Sequence, residues 1–419
     1  MKRLLVLGAG TAGTMVVNKL RPLLSLTEWE VTIVEPAEQH LYQPGLLFVP
    51  FGRYEADDLQ KPTQPLLAAG VSLISEEVQK VDVAGSVVEL SNGKSIPFDQ
   101  LVIATGTHPR PDMTPGMLGP HFGKTVHEFY TLEGAVALRR ALSNWRGGRL
   151  VVHITELPIK CPVAPLEFAF LADDYFRRLG IRDSVNLTFA TPLSGAFTKP
   201  IASERLGSML ESRKIHVEPD FYVERVDTGA IISYDERSIP FDLLVSVPLN
   251  MGADFVARSG LGDELNHVRV DPGTFLAEGC RNVFALGDAA ALPISKAGSV
   301  AHFAVEVFVE NFLDHIDGRP MLRRFDGHAN CFVESGAGKA LLIDFNYDTE
   351  PLPGTYPLPV IGPLSLLEET RLNHFGKLAF KPIYWHMLLP GRRLPVPTAM
   401  SMTGKHIPTE QVEREEVTL

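Results

Sequence analysis

The chain has 419 residues, 45% of them apolar and 21% charged, enough for two or three domains around a large core. Its net charge of −11, with no long basic run, argues against a nucleic-acid partner. Three cysteines, at positions 161, 280 and 331, exclude a disulfide-rich secreted scaffold and fit a reducing compartment, and no run of 18 apolar residues exists to cross a membrane.

Residues 3–13, RLLVLGAGTAG, place Gly8, Gly10 and Gly13 in a GxGxxG directly after an apolar strand. The next strand, EVTIVE, ends in Glu35. Each residue has a physical task. Gly8 permits the tight turn from strand to helix, Gly10 admits a pyrophosphate to backbone N–H groups, Gly13 lets the helix pack on the strand, and Glu35 can hydrogen-bond a ribose. The start MKRLLVLGAGTAG has the cations and apolar run of a signal peptide, but cleavage there would remove the strand and the glycines. No cleavable signal is therefore expected. The first unit closes with DQLVIATG, which carries Thr105 and Gly106.

The second unit repeats the first. GKSIPFDQLVIATG (93–106) recurs as ERSIPFDLLVSVPL (236–249), an offset of about 143 residues. At nearly the same offset LLVLGAGTAG is matched by LVVHITELPIKCP, so Gly8, Gly10 and Gly13 become His153, Thr155 and Pro158. The strand NLTFAT echoes EVTIVE, and Thr191 replaces Glu35. Every group that would seat a second dinucleotide is missing, and Cys161 stands three residues beyond the last lost glycine.

NVFALGDAAALP (282–293) then returns to a strand and turn, with Gly287-Asp288 placed to reach a cofactor's sugar or phosphate region, and a helical stretch follows. FDGHANCFVESGAGKALLIDFNYDTEP reads as a hairpin with Cys331 near its start. The Pro-rich residues 350–364 are expected as loop and 365–380 as helix. A second short helix is expected from Pro382 to the stop at Pro390-Gly391, and the tail after 403 is expected to lack structure.

The alternation predicts an α/β protein with two Rossmann-like, doubly wound domains, followed by a C-terminal helical region expected, from the residues and resemblance given below, to associate with a membrane. The divisions are 1–110 with 256–320 as a discontinuous FAD-binding domain, and 111–255 as a second domain lacking the NAD fingerprint. Residues 321–402 form a C-terminal region, which the resemblance described below implies to be redox, quinone and membrane-associating, and 403–419 a polar tail. FAD suits the intact site better than NAD, because three separated pieces (the fingerprint, Thr105-Gly106 and Gly287-Asp288) can wrap one long flavin nucleotide. Cys161 and Cys331 are then the redox candidates, or else two buried small hydrophobes. Lys160 beside Cys161 would favour its thiolate. Cys280 receives no role.

The chain resembles the sulfide:quinone oxidoreductases and the flavoprotein subunit of flavocytochrome c sulfide dehydrogenase. The motifs that carry the likeness are GAGTAG (8–13), YQPGLL (42–47), KCPVAPLE (160–167), GDAAALPISKAGSVAHF (287–303) and NCFVESGAGKA (330–340). The resemblance implies that hydrosulfide attacks a disulfide, or a sulfur-bridged form, joining Cys161 and Cys331. Cys161 would keep the sulfane sulfur as a persulfide, later released as polysulfide. Cys331 would leave as a thiolate that passes two electrons to FAD, from which a membrane quinone takes them.

By the same resemblance Glu167 moves protons at the sulfur site or is a solvated glutamate, and Lys296 lies near the flavin ring or on the surface. Phe332 and Lys377 match positions that line the quinone pocket, Lys377 alternatively being a membrane-surface charge. Residues 365–395 interleave aromatic and aliphatic groups with cations, as a one-leaflet anchor would, or as a helical pair covering the core. The expected location is therefore peripheral, monotopic on a membrane.

Many members of the family carry a further cysteine in the stretch matching KTVHEFYTLEG (124–134), or near Tyr42, and neither is present here. FAD is accordingly expected to be non-covalent, with His127 a candidate for proton transfer. No metal is expected, and a homo-oligomer is compatible with the sequence. The competing readings are a cytochrome-coupled sulfide dehydrogenase flavoprotein, a type II NADH:quinone dehydrogenase, and a redox-inactive flavin-binding scaffold.

Overall fold

The apolar run Lys2–Leu7 becomes the central strand of a five-stranded sheet in the computed structural model, which describes residues 1–357 and 362–407. The strand order is Val283–Ala285, Gln100–Ile103, Lys2–Leu7, Trp29–Val34 and Val71–Ile74, and every neighbouring pair is parallel. Successive side chains point to opposite faces, so Leu4 and Val6 join the core that includes Met15 and Phe284, while Leu5 and Leu7 join one built around Phe98 and Val268. Both faces are thus covered, which is why the strands read as continuous apolar runs rather than alternating ones.

The second sheet has the same plan: Val126–His127, Leu243–Val247, Gly148–Ile154, Val185–Ala190 and His216–Glu218, again all parallel. The repeated SIPFD has a structural basis. Ser95–Pro97 and Ser238–Pro240 are each the last strand of a three-stranded antiparallel sheet. The aspartate that follows each accepts a hydrogen bond from the backbone of an arginine in the central parallel strand. These bonds, Arg3 N–H to Asp99 Oδ2 and Arg149 N–H to Asp242 Oδ2, are both 2.7 Å, and both guanidinium groups bind the same carboxylates. A two-stranded pairing of His108–Pro109 with Asn250–Met251 ties the halves together.

The hairpin expected around Cys331 forms from Ala329–Gly336 and Lys339–Phe345. Residues 350–364 differ from the expected loop, because Gly354–Tyr356 pairs as a strand with Leu364–Leu366 and extends the hairpin to four strands; residues 358–361 lie outside the described residues. That pairing consumes the start of the helix expected at 365. The helix runs instead over Arg371–Ile383, capped by Thr370, whose side chain accepts from the Asn373 N–H.

Pro382 does not break it. The chain continues directly into a wider π turn, Tyr384–Leu388, closed by the Leu389 N–H on the Tyr384 carbonyl at 3.0 Å, so one bent element replaces the two expected helices. Proline lacks only its own N–H, and the Tyr384 N–H still bonds to the Phe380 carbonyl, so the helix passes through it before the wider turn begins. Gly391, at φ +76°, ends the element where the sequence placed the stop. Of the expected unstructured tail, residues 408–419 lie outside the described residues.

Candidate functional site

A cavity of about 660 Å³ opens at the carboxyl ends of the first sheet, where ligands of such folds bind. Gly8, Gly10, Glu35, Thr105, Gly106, Gly287, Asp288 and Lys296 line it, together with Cys161, Glu167 and Lys377. The three fingerprint glycines divide their labour. Gly8 sits at φ +94°, and a Cβ there would lie 2.6 Å from the Ala104 carbonyl oxygen. At Gly13, beneath the cavity, a Cβ would collide with the Gly8 carbonyl oxygen. At Gly10 it would meet nothing within 4 Å, because that position faces open space.

Glu35 accepts from the Ala9 N–H at 2.8 Å and the Ala37 N–H at 2.9 Å, which fixes its carboxylate at the cavity edge. Two buried hydroxyls, Thr105 Oγ1 and Thr107 Oγ1, have no protein partner. Both belong to residues lining the cavity, and unpaired buried polar atoms of this kind mark where a ligand's polar groups go. Lys296 is 7% exposed, so it is no surface lysine. Its ammonium donates to the carbonyls of Asp288 (2.7 Å) and Ala290 (3.1 Å) and so braces the Gly287-Asp288 turn.

Cys161 stands at the mouth of the helix Ala164–Arg178 with φ +45°, a conformation rare for a non-glycine residue and concentrated at functional sites. Its N–H is held by the Lys296 carbonyl at 2.6 Å and its carbonyl by the Ala164 N–H at 2.8 Å and the Tyr130 hydroxyl at 3.2 Å. Glu167 is fully buried one turn into the helix. Its Oε1 accepts from Lys377 Nζ at 2.8 Å and from the Glu334 N–H at 2.7 Å, while Oε2 has no partner.

Burial pushes the Glu167 carboxyl up, and the Lys377 ammonium draws it back. Burial also works against the charge on Lys377, but Glu167 overrides it and holds the amine protonated. Lys377 is thus an interior cation and not a membrane-surface charge, and Glu167 is not solvated.

Cys331 and Phe332 are on the hairpin strand Ala329–Gly336, outside the cavity wall itself. The Phe332 carbonyl accepts from Lys377 at 2.9 Å and its ring packs on Gly376, where a Cβ would lie 2.6 Å from it. Cys161, Cys280 and Cys331 are all free, so the Cys161–Cys331 disulfide expected from the resemblance is not formed in this structure. The two thiols nevertheless share their surroundings. Burial pushes Cys331 up to about 12, with Lys377 pulling down and Glu167 pushing up; burial, then Glu167, raises Cys161, against Lys377.

The cation acting on them is Lys377, not Lys160 as expected, since the Lys160 ammonium reaches away to Gln43 Oε1 at 3.2 Å. His127 is likewise turned to the Lys124 carbonyl (2.9 Å) and does not line the cavity.

Sequence reasoning missed four groups. His40 and Thr11 line the cavity, and Tyr384, assigned to the membrane element, reaches both. Glu334 is fully buried and paired with His374 at 2.7 Å. The spacing of His374 and Lys377, three residues apart on one helix, was the available signal.

Comparison with known proteins adds descent to this geometry. Residues 2–154 match the model of the pyridine nucleotide-disulphide oxidoreductases. The chain is 26% identical over 402 residues to a mitochondrial sulfide:quinone oxidoreductase of Dictyostelium discoideum, covering 93% of this chain and 86% of the relative. The Mus musculus protein of that name is 25% identical over 400 residues, covering 92% and 86%. The chain is similar along nearly its whole length to sulfide:quinone oxidoreductases.

The crystal structure of the sulfide:quinone oxidoreductase of Aquifex aeolicus has the same fold, with a TM-score of 0.80 at 19% identity over 100% of this chain and 96% of that one. In the second half two of the positions matching the fingerprint glycines carry buried side chains. His153, where Gly8 would recur, is fully buried with Nδ1 2.9 Å from Ser246 Oγ, and Thr155 donates to the Val247 carbonyl at 3.0 Å.

Proposed function

We propose that the protein binds one FAD non-covalently and oxidises hydrosulfide, passing two electrons to a membrane quinone. The observation that carries this reading is the Glu167–Lys377 ion pair at the end of a dinucleotide cavity, acting on Cys161 and Cys331 together. The cavity residues fit FAD. Gly10 leaves room for the pyrophosphate, the amino end of Thr11–Leu20 offers N–H groups to it, and Glu35, Thr105, Thr107 and Asp288 offer hydrogen-bonding groups along the remaining length. FAD would supply the two-electron acceptor that quinone reoxidises.

The chain's own part is sulfur exchange. With Cys161 and Cys331 oxidised to a disulfide, hydrosulfide attacks the Cys161 sulfur. A new S–S bond forms there, the old one breaks, and the electron pair leaves on Cys331 as a thiolate. Lys377 favours that thiolate, and Glu167, with one oxygen free, takes the proton from the new persulfide. Phe332 and Lys377 are assigned to the quinone side.

The same reading divides the chain into the FAD domain (1–110 with 256–320), the emptied second domain (111–255) and the C-terminal region (321–402). It places the protein peripherally on a membrane. No helix among the described residues is long and apolar enough to cross one, while Leu372 and Phe375 on the Arg371–Ile383 helix are 46% and 62% exposed.

Anaerobic titration of purified protein with sulfide tests the proposal. The flavin absorbance should bleach and return on adding a quinone, while NADH leaves it oxidised. A flavin indifferent to sulfide, or bleached as fast by NADH, would overturn it.

A further inference from the structure

We propose that Tyr384 is a cofactor-positioning residue and that the C-terminal helix is a closing wall of the dinucleotide cavity, so that cofactor binding and helix docking are coupled. The inference rests on the FAD reading above. Its basis is a hydrogen-bond chain whose direction is fixed. The Ala9 carbonyl, 2.9 Å from His40 Nδ1, can only accept, so that nitrogen carries the proton. Burial holds the ring neutral, lowering its pKa to about 4, which leaves Nε2 an acceptor. The Tyr384 hydroxyl, 2.6 Å away, therefore donates to Nε2, and its oxygen accepts from the Thr11 hydroxyl at 2.9 Å.

Ala9 and Thr11 flank Gly10, the glycine left open for phosphate. Tyr384 thereby holds both sides of the phosphate-binding turn from an element more than 370 residues away in sequence. The grip continues along the same helix, Thr11–Leu20. Asn18 Nδ2 donates to the Leu389 carbonyl at 2.7 Å, and Lys19 Nζ to that of Gly391 at 3.1 Å. Tyr384 itself lines the cavity, while the same element turns Leu372 and Phe375 outward. Cofactor on one side and lipid on the other thus act on one docked helix, and any effect of either on the other's affinity must be reciprocal.

The test uses full-length wild-type protein and Tyr384→Phe, each stripped of flavin. FAD dissociation constants are measured by flavin fluorescence, with and without phosphatidylcholine–phosphatidylglycerol vesicles, and vesicle binding is measured with and without FAD. Tyr384→Phe should weaken FAD about tenfold, the scale of one buried hydrogen bond with its partners left unpaired. Vesicles should tighten FAD binding to the wild type by the same factor by which FAD tightens vesicle binding, and this factor should shrink in the variant. Equal FAD affinity of the two proteins overturns the positioning role, and a wild-type FAD affinity indifferent to vesicles overturns the coupling. A wild type that binds no FAD overturns the underlying functional reading instead.

Discussion

Lys377 and Glu167 meet at 2.8 Å across two helices that lie more than 200 residues apart in sequence, and their charges act in opposite senses on the same two thiols. The pair therefore sets both the acid and the nucleophile of the proposed exchange. Removing the ammonium takes away the charge that draws the Glu167 carboxyl down against its burial, so its pKa must rise further. In Lys377→Met the acid limb of the kcat/KM profile for sulfide-dependent quinone reduction should shift to higher pH, and the rate at neutral pH should fall roughly a hundredfold. Lys377→Arg should restore part of both. An acid limb that stays in place would remove Glu167 from the proton path.

Cys161→Ser and Cys331→Ser should each abolish sulfide-dependent quinone reduction, and the double variant should lose no more than either single one, because the two sulfurs act as one relay. Cys280, packed against the core beneath the first sheet, should tolerate Ser with little change. Near-normal turnover by Cys161→Ser would end the persulfide mechanism.

The fingerprint glycines separate folding from binding. Gly13→Ala forces a methyl into the Gly8 carbonyl and should destabilise the protein by several kcal/mol, on the order of other overpacked backbone contacts. Gly10→Ala meets no protein atom within 4 Å, so thermal unfolding of the flavin-free protein should be unchanged while FAD affinity falls at least tenfold. A Gly10→Ala protein that keeps full FAD affinity would place the pyrophosphate elsewhere.

Three buried histidines predict an acid-sensitive fold. Burial lowers His40 and His302 to about 4 and His153 to about 3, against 6.5 for the free side chain. Between those values and 6.5 the unfolded chain binds more protons than the folded one. Stability is thus fully present above pH ~6.5 and is lost as pH falls toward 4, at about 3 kcal/mol per histidine. Urea unfolding midpoints should be flat from pH 7 to 8 and drop steeply from about 6.5 to 4. The drop should lessen in His302→Gln; a midpoint independent of pH over that window would contradict the burial argument.

The sequence made the parallel sheets legible because their strands are continuous apolar runs, and the internal repeat because SIPFD closes the same short antiparallel sheet in each half. The cavity residues at 8, 10, 35, 105, 106, 287 and 288 were readable for a related reason: backbone turns impose residue types at fixed spacings. The C-terminal region was less transparent. A pairing between Gly354–Tyr356 and Leu364–Leu366 is too short to show as a pattern, and Pro382 signals a break that does not occur. Tyr384 and Lys377 look like interfacial anchors in sequence, since an aromatic or a lysine in an amphipathic helix carries no mark of which face it occupies. What turns them inward is tertiary: Glu167 and His40 await them there.

The π turn at Tyr384–Leu388 also fixes the length of the chain that precedes it. Each residue of a helix advances the face by about 100°. A single deletion between Phe380 and Tyr384 would swing the Tyr384 hydroxyl out of line with His40 and bring a neighbouring side chain into its place. Homologous chains that retain this architecture should therefore exchange residues freely along the outer face of the segment, yet accept insertions and deletions only beyond Gly391.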